Sequence, residues 1–263
     1  PKDRRDRRRV EPITTYRNAA LAAVRPEQLP VAEQLLRGGI PAVRRAIDEQ
    51  NARARNEDRA EISPEPLMAM AEELLPVMNL AAWKDRAVAA RTAGRDAPLR
   101  EVRSVVSAAS TVTLDEEARG LLSTLRESLD SRVTALRESW LARITTSLET
   151  GRVADAVRVS ARPPEPGARL PGELAVRLAG AAGAAMAPEL PAQEWTELLD
   201  AVIESPVRRN VKPLGLPTEA SDDLLSSARR AAGFVPELAK LLGLPIPPPP
   251  GPRRPAATAG RRG

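Results

Sequence analysis

Residues 113–151 read TLDEEARGLLSTLRESLDSRVTALRESWLARITTSLETG, and this stretch decides the fold class. Its apolar residues recur at steps of three or four, which is the spacing of one face of an α-helix. Thr113 with Glu116 predicts a capping box at the amino end, and Gly151 predicts a left-handed stop at the carboxyl end. The stretch therefore predicts one long helix over about 113–150. Its predicted apolar stripe consists of Leu114, Ala118, Leu122, Leu125, Leu129, Val133, Leu136, Trp140, Ile144 and Leu148.

The stripe contains an eleven-residue repeat, in which Leu122, Val133 and Ile144 are equivalent. This period lies close to the natural pitch of the α-helix, so it predicts a nearly straight rod instead of a left-handed coiled coil. A helix of this length spans on the order of 55 Å. We expect it to be the central spine between two groups of shorter helices.

Composition predicts that the shorter elements are helices as well. The chain has 263 residues, of which only 2% are aromatic. The core therefore has to consist of Leu, Val, Ile and Ala, which pack well between helices. No sustained alternation of apolar and polar residues indicates a strand. The predicted fold is all-α, an irregular bundle of about nine or ten helices built around one long straight central helix.

Changes in glycine, proline and charge content divide the sequence into four segments. These are a disordered basic arm (1–12), an N-terminal helical subdomain (13–110), the long helix with a C-terminal helical subdomain (111–243), and a disordered Pro/Arg-rich tail (244–263). Two proline-rich stretches, 161–172 and 205–217, are predicted to be loops. Between them, the alanine-rich segment 173–186 is predicted to lie inside the bundle, because small side chains let helices approach closely.

Glycine and proline also predict where the helices of the first subdomain begin and end. Gly38 and Gly39 predict the end of one helix, and Pro41 fits the first turn of the next. Pro76 predicts the end of a later helix, and Asn79 predicts the start of the one that follows it.

The positive charge of the chain is concentrated at its two ends. The whole chain carries a formal net charge of +5. Residues 1–9 and 251–263 each carry a net +4, which leaves a net −3 for residues 10–250. Global charge therefore predicts no basic face on the folded body. Arg outnumbers Lys by 36 to 4, which we interpret as the codon bias of a GC-rich, bacterial genome.

The chain contains neither His nor Cys, which excludes most catalytic mechanisms. It can form no Ser-His or Cys-His pair, no thiolate or imidazole metal site and no Glu-x-x-His di-iron site. The acidic clusters Asp115–Glu117 and Asp222–Asp223 lie where helices are predicted to start, so capping explains them better than Mg²⁺ binding. No Gly-rich phosphate loop leads into a Lys. We therefore expect a protein that is not an enzyme, with no catalytic residue, no cofactor and no metal.

Basic residues at several places are candidates for contact with nucleic acid. The candidates are Arg4, Arg5, Arg7, Arg8 and Arg9 in the arm, Arg44, Arg45 and Arg53 in the helix after Gly38–Gly39, Arg208, Arg209 and Lys212 in the 205–217 loop, and Arg253 and Arg254 in the tail. Phosphate contacts from such residues give a salt-dependent affinity. The leading hypothesis is a bacterial helical accessory protein that binds RNA, DNA or a ribonucleoprotein through its basic tails and one Arg-bearing face.

Two alternatives remain open. The acidic body and the long helix favour a scaffold for a protein partner, in which the tails are linkers. The helix, glycine turn and Arg-bearing helix around Gly38–Gly39 favour a helix-turn-helix DNA-binding regulator. Acidic residues on the same helix weaken this second alternative, because they dilute its positive charge. The sequence does not determine the oligomeric state.

The sequence also predicts the compartment. No apolar run approaches the length of about 20 residues that is needed to cross a bilayer, and the amino end is charged and unlike a signal peptide. We expect a soluble, cytoplasmic protein without a membrane partner.

Overall fold

The computed structural model describes residues 12–245, and all of the regular structure in this range is helical. The α-helices of these residues are α1 (Thr15–Ala23), α2 (Leu29–Asn56), α3 (Pro64–Ala93), α4 (Leu99–Ala108), α5 (Glu116–Glu149), α6 (Val153–Ser160), α7 (Gly172–Ala185), α8 (Ala192–Glu204), α9 (Asp222–Ala231) and α10 (Pro236–Leu241). An all-α, multi-helix bundle is thereby confirmed. Within the described range, no helix is long and apolar enough to cross a membrane. The predictions for the first eleven residues and for those after Pro245 lie outside it.

Contacts divide the chain into two compact units, one ending at Val133 and the other beginning at Thr134. The division falls inside α5, whereas the sequence placed it at 110/111, before that helix. The first half of α5 therefore belongs to the core of one unit and the second half to the core of the other. This long helix was predicted over about 113–150. Its straightness and its central position remain predictions.

The first unit contains two apolar clusters. One lies between α2 and α3 and includes Val43, Ile47 and Met78. The other joins α3, α4 and the first half of α5 around the buried indole of Trp83 and the side chain of Leu122. Both clusters consist mainly of aliphatic side chains, as the composition predicted.

A kink in α2 lies where the sequence predicted one helix to end and the next to begin. Gly38 and Gly39 depart from helical backbone angles there, and Gly39 has a φ of 65°. A residue with a side chain is strained at such an angle, so the kink requires glycine at position 39. Val31 and Leu35 before the kink and Val43 after it are all buried in the same cluster.

The predicted break in α3 at Pro76 and Asn79 is wrong, because one helix continues through both residues. Pro76 lacks the N–H that would bond to the carbonyl one turn earlier, which weakens the helix locally. Leu74 and Met78 on either side of Pro76 are nevertheless both buried. Their burial on one face holds the two halves of the helix together, and tertiary packing outweighs the local preference.

The amino end of α5 is capped by Asp115 and not by the predicted Thr113. The helix begins at Glu116, and the Asp115 carboxylate accepts a hydrogen bond of 2.9 Å from the backbone N–H of Ala118. The predicted apolar stripe is otherwise buried or half-buried, except at Leu136, which is 43% exposed. All of residues 134–139 are exposed, so this stretch of helix packs on neither core.

The second unit is built around the fully buried indole of Trp195 on α8. The core joins the second half of α5 to α6, α7, α8, α9 and α10, through residues such as Ile144, Val157, Leu178 and Leu238. The stretches 161–171 and 205–221 contain no helix, as their prolines predicted for 161–172 and 205–217.

The alanine-rich helix α7 meets the 205–217 loop at closer range than any side chain would allow. A Cβ atom added to Gly183 would lie 2.5 Å from the backbone oxygen of Lys212. The same loop donates hydrogen bonds from Leu214 N and Gly215 N to the Met186 carbonyl, at 3.0 and 3.2 Å. One face of this helix is buried, at residues such as Leu178 and Ala182, whereas Val176 on the other face is exposed. Glycine itself is required at position 183.

Substitution of Gly183 by Ala should destabilise the second unit by about 1–3 kcal/mol, because the new methyl group overlaps a backbone carbonyl that cannot rotate away. Gly180 is the matched control, since it lies on the same helix and a Cβ there meets nothing within 4 Å. Gly180→Ala should stabilise the helix by about 0.5–1 kcal/mol. Urea unfolding followed by circular dichroism measures both changes. Equal effects of the two substitutions would contradict the close approach.

Candidate functional site

A tight turn at Gly151 reverses the chain between α5 and α6. Gly151 has a φ of 72°, which is the left-handed conformation that the sequence predicted. Its N–H donates to the Leu148 carbonyl at 3.1 Å, and the N–H of Arg152 donates to the Ser147 carbonyl at 2.8 Å. This pair of bonds closes the carboxyl end of α5. Because the turn is so short, α6 folds back along the last turns of α5.

A tryptophan holds the two helices of this hairpin together. The indole N–H of Trp140 on α5 donates to the carbonyl of Val159 on α6, at 2.8 Å. Ile144, Ala156 and Val157 are completely buried beneath the hairpin. The opposite faces of α5 and α6 are thereby fixed side by side at the surface.

An open cleft of about 760 Å³ lies between these two outer faces. Its volume falls within the range of about 300–1,000 Å³ that is typical of ligand sites. From α5 and its end come Ser139, Ala142, Arg143, Thr146 and Ser147, and from α6 and its flanks come Arg152, Asp155, Arg158, Val159 and Arg162. Residues on α5 recur at steps of three and one, so they occupy a single helical face.

The charged residues of this arginine cleft are four Arg and one Asp, a local net charge of +3. Arg158 is held by two carboxylates, Asp155 at 3.5 Å and Glu197 of α8 at 3.3 Å. Arg152 donates through Nε to the Thr150 hydroxyl at 3.1 Å. These contacts orient two of the four guanidinium groups.

Arg143 and Arg162 carry the unsatisfied charge of the arginine cleft. Both are exposed, and neither has an ion pair or side-chain hydrogen bond with any other described residue. A guanidinium group presents five N–H donors in a planar fork, which matches the oxygens of a phosphate. The hydroxyl groups of Ser139 and Thr146 supply further donors in the same cleft. The arrangement can therefore bind phosphate groups.

None of the four cleft arginines was among the candidates taken from the sequence. Reasoning from net charge missed them because the body of the chain is acidic overall. The usable signal was local: Gly151 predicts a tight reversal, and Arg158 lies on one face of the helix that follows, with Arg162 just beyond its end. A tight hairpin brings that face beside Arg143.

The structure places the predicted candidate residues in separate regions. Those of the arm (Arg4, Arg5, Arg7, Arg8, Arg9) and of the tail (Arg253, Arg254) lie outside the described residues. Arg44, Arg45 and Arg53 are exposed on α2 in the first unit, where Val43 and Ile47 of the same helix pack against α3. Their contact with DNA remains a prediction.

The other predicted group, Arg208, Arg209 and Lys212, belongs to the second unit. Arg209 and Lys212 are exposed, and Arg208 is half-buried. Arg208 donates to the Ser205 carbonyl at 3.5 Å and lines a different cavity, of about 450 Å³, with Arg169 and Glu204. This group does not line the arginine cleft.

The acidic cluster at the start of α5 has partners within the first unit. The buried ammonium group of Lys84 on α3 contacts Asp115 Oδ2 and Glu117 Oε2, each at 2.6 Å. The hydroxyl of Tyr16 on α1 donates to Glu117, and Lys84 Nζ lies 5.1 Å from the centre of the Tyr16 ring. We call these four residues the Lys84 cluster. It joins α1, α3 and the start of α5.

A buried carboxylate on α3 holds the amino end of α1. Asp85 is fully buried and accepts hydrogen bonds from the backbone N–H groups of Tyr16 and Arg17, at 2.8 and 3.2 Å. It also forms an ion pair of 2.9 Å with the Arg17 guanidinium. Since α1 buries none of its own residues completely, these polar contacts add to the packing of its half-buried Ala20 and Leu21 in fixing its position. Within residues 12–245, no group of three carboxylates has the arrangement of a metal site.

Comparisons with protein-family models, with curated proteins and with solved structures found no match to this chain. Its function is therefore inferred from its own residues and their geometry.

The Lys84 cluster makes the stability of the first unit depend on pH. Lys84 donates a hydrogen bond to each carboxylate. These bonds lower the pKa of Asp115 below the ordinary 3.8 and the pKa of Glu117 below the ordinary 4.5. A carboxyl group whose pKa is lower in the folded than in the unfolded protein stabilises the fold at every pH above its unfolded-state pKa. This stabilisation is lost as the pH falls through the folded-state pKa. Burial lowers the pKa of Lys84, but the hydrogen bonds to both carboxylates raise this pKa by more, so that it lies above the ordinary 10.5. That contribution is lost only at high pH.

Lys84→Met should therefore reduce the loss of thermal stability between about pH 5 and 3, because protonation of the two carboxylates then breaks no ion pair. Lys240→Met is the control, since Lys240 forms an exposed pair of 2.6 Å with Glu237 in the second unit. It should leave the acid dependence unchanged. Thermal unfolding followed by circular dichroism measures both. An unaltered acid profile in Lys84→Met would show that the cluster does not stabilise the first unit.

Proposed function

We propose that this chain is a non-enzymatic bacterial accessory protein of the cytoplasm that binds nucleic acid or a ribonucleoprotein. The arginine cleft is the Arg-bearing face, and the basic arm and tail add further phosphate contacts. The observation that carries the proposal is the pair Arg143 and Arg162, two exposed guanidinium groups without carboxylate partners in a cleft of net charge +3.

Affinity in this proposal comes mainly from phosphate contacts and is sensitive to salt. Each phosphate neutralised on a single strand contributes about −0.7 to the slope of log affinity against log salt. The arm and the tail, each with a net charge of +4, raise the affinity without reading sequence. The cleft fixes where on the folded body the strand lies.

The double variant Arg143→Gln/Arg162→Gln should weaken binding of a fluorescein-labelled RNA of about 16 nucleotides. The salt slope should also become shallower by about 1.4, because two phosphate contacts are lost. Fluorescence anisotropy of the full-length protein over a salt series measures both quantities. A variant in which Arg4, Arg5, Arg7, Arg8, Arg9, Arg253 and Arg254 are replaced by Ser should show an independent, additive loss.

The matched control is Arg177→Gln/Arg229→Gln, which removes the same charge from two exposed positions of the second unit outside the cleft. It should change the slope by less than half as much. Equal behaviour of the two double variants would contradict a role for the cleft. Polyglutamate that competes as well as unlabelled RNA would contradict nucleic acid as the ligand.

A protein-interaction scaffold is the second candidate. It is favoured by large apolar side chains at the surface of the second unit, among them Val176 at 69%, Leu214 at 66% and Phe234 at 50% exposure. Sedimentation of the full-length protein at increasing concentration tests the simplest form of this candidate. A concentration-dependent dimer that Phe234→Ser abolishes would support it, and a monomer at all concentrations would contradict self-association.

A further inference from the structure

The arginine cleft has a neighbour with the opposite charge. A second cavity, of about 330 Å³, shares Arg152, Asp155 and Arg158 with the cleft, so these three residues form a wall common to both. Beyond this wall the second cavity is lined by apolar residues and by two carboxylates of α8, Glu194 and Glu197. The apolar residues are Val153, Ala154, Ala185, Leu190 and Leu198, with Gly151 beside them.

Apart from the shared wall, the two cavities carry equal and opposite charges. The cleft has Arg143 and Arg162, and the second cavity has Glu194 and Glu197. A ligand that is negative along its whole length would be attracted to one cavity and repelled by the other. A ligand that fits both has an anionic group at one end and hydrogen-bond donors on a flat apolar body at the other.

The two carboxylates that α8 contributes to the second cavity differ in their partners. Glu197 accepts from Arg158 at 3.3 Å and from the Gln193 side chain at 3.5 Å. Glu194 has no ion pair or side-chain hydrogen bond with any residue in the described range, so both of its oxygens are free to accept. It is in the first turn of α8, one turn before Leu198, which places acceptor and apolar surface on one face.

We propose, on the basis of the nucleic-acid binding inferred above, that the two cavities together hold one guanine nucleotide of an unpaired strand. The phosphate lies in the arginine cleft, and the base enters the second cavity. Guanine presents two adjacent N–H donors, N1–H and the 2-amino group, which match the two oxygens of a carboxylate such as Glu194. Adenine and cytosine place a ring acceptor beside their amino group, and uracil places its N–H between two carbonyls, so each of these bases repels one carboxylate oxygen.

The same geometry selects an unpaired strand over a duplex. In a duplex the N1–H and 2-amino donors of guanine are already paired with cytosine, and the base is stacked inside the helix. Recognition of these groups therefore requires a base that is turned out of the stack. The two cavities together are large enough for a nucleotide, since each alone falls within the range of about 300–1,000 Å³ for small-ligand sites.

The test uses the full-length protein and labelled oligouridines of about eight nucleotides, which differ only in one central base. The strand with a central guanine should bind about tenfold more tightly than the strands with adenine or uracil, the effect of one good contact to a base edge. Glu194→Gln should remove most of this preference, because an amide offers guanine one acceptor oxygen where the carboxylate offers two. Glu173→Gln, a control at an exposed first-turn position of α7, should change neither this preference nor the affinity for plain oligouridine.

Glu197→Gln gives a result that loss of structure cannot imitate. It removes one of the two ion pairs that hold Arg158, so affinity for plain oligouridine should rise, while the preference for guanine, which rests on Glu194, should remain. Equal binding of the guanine and adenine strands, or duplex RNA bound as tightly as the guanine strand, would overturn this inference and leave the proposed function intact. If no strand binds to the intact protein, both fail. A guanine preference that survives Glu194→Gln would overturn the assignment of the base to the second cavity.

Discussion

The structure depends on how three tryptophans join segments that would otherwise have only small aliphatic contacts. Each indole is buried, and each donates its N–H to a backbone carbonyl of another segment: Trp83 to Val105 at 2.9 Å, Trp140 to Val159 and Trp195 to Gly215 at 3.2 Å. A buried indole combines a large apolar surface with one directional bond, so it fixes both the distance and the orientation of its neighbour. In a core of Leu, Val and Ala, these three bonds set the registers of α3 with α4, of α5 with α6, and of α8 with its neighbouring loop.

The arginine cleft shows why net charge is a poor guide to a binding surface. The body of the chain is acidic as a whole, yet one hairpin gathers four arginines against a single aspartate. The other arginines of the second unit, within the residues that the structure describes, are dispersed over α5, α7, α9 and the loops between helices. Local topology therefore produces a positive surface that composition alone does not reveal. The carboxylates of α8 border that positive surface on one side, so the site is positively charged at one end and negatively charged at the other.

The sequence predicted the elements of the fold well where the signal was local, and failed where distant packing decided the outcome. Periodicity and Gly151 located α5 to within a few residues, and glycine located the kink in α2. Pro76 misled because burial on both sides of it outweighs one lost hydrogen bond. Thr113 misled because Asp115, two residues closer to the helix, accepts the capping hydrogen bond instead. The arginine cleft was missed because its residues are dispersed in sequence and meet only after the hairpin closes. The second cavity could not be predicted from the sequence, since residues 151–158 and 185–198 meet there only through the packing of the second unit.

The exposed stretch of α5 at residues 134–139 has a consequence for how this protein can change over evolutionary time. Side chains in either core are constrained by volume, and those in the cleft are constrained by charge. Along residues 134–138, before Ser139 lines the cleft, the only constraint is the preference for helix, because every side chain faces water. Neutral drift can therefore exchange these residues among helix-forming polar types and alter the local electric field. The longest helix of the described chain thus carries, at its middle, its least constrained sequence.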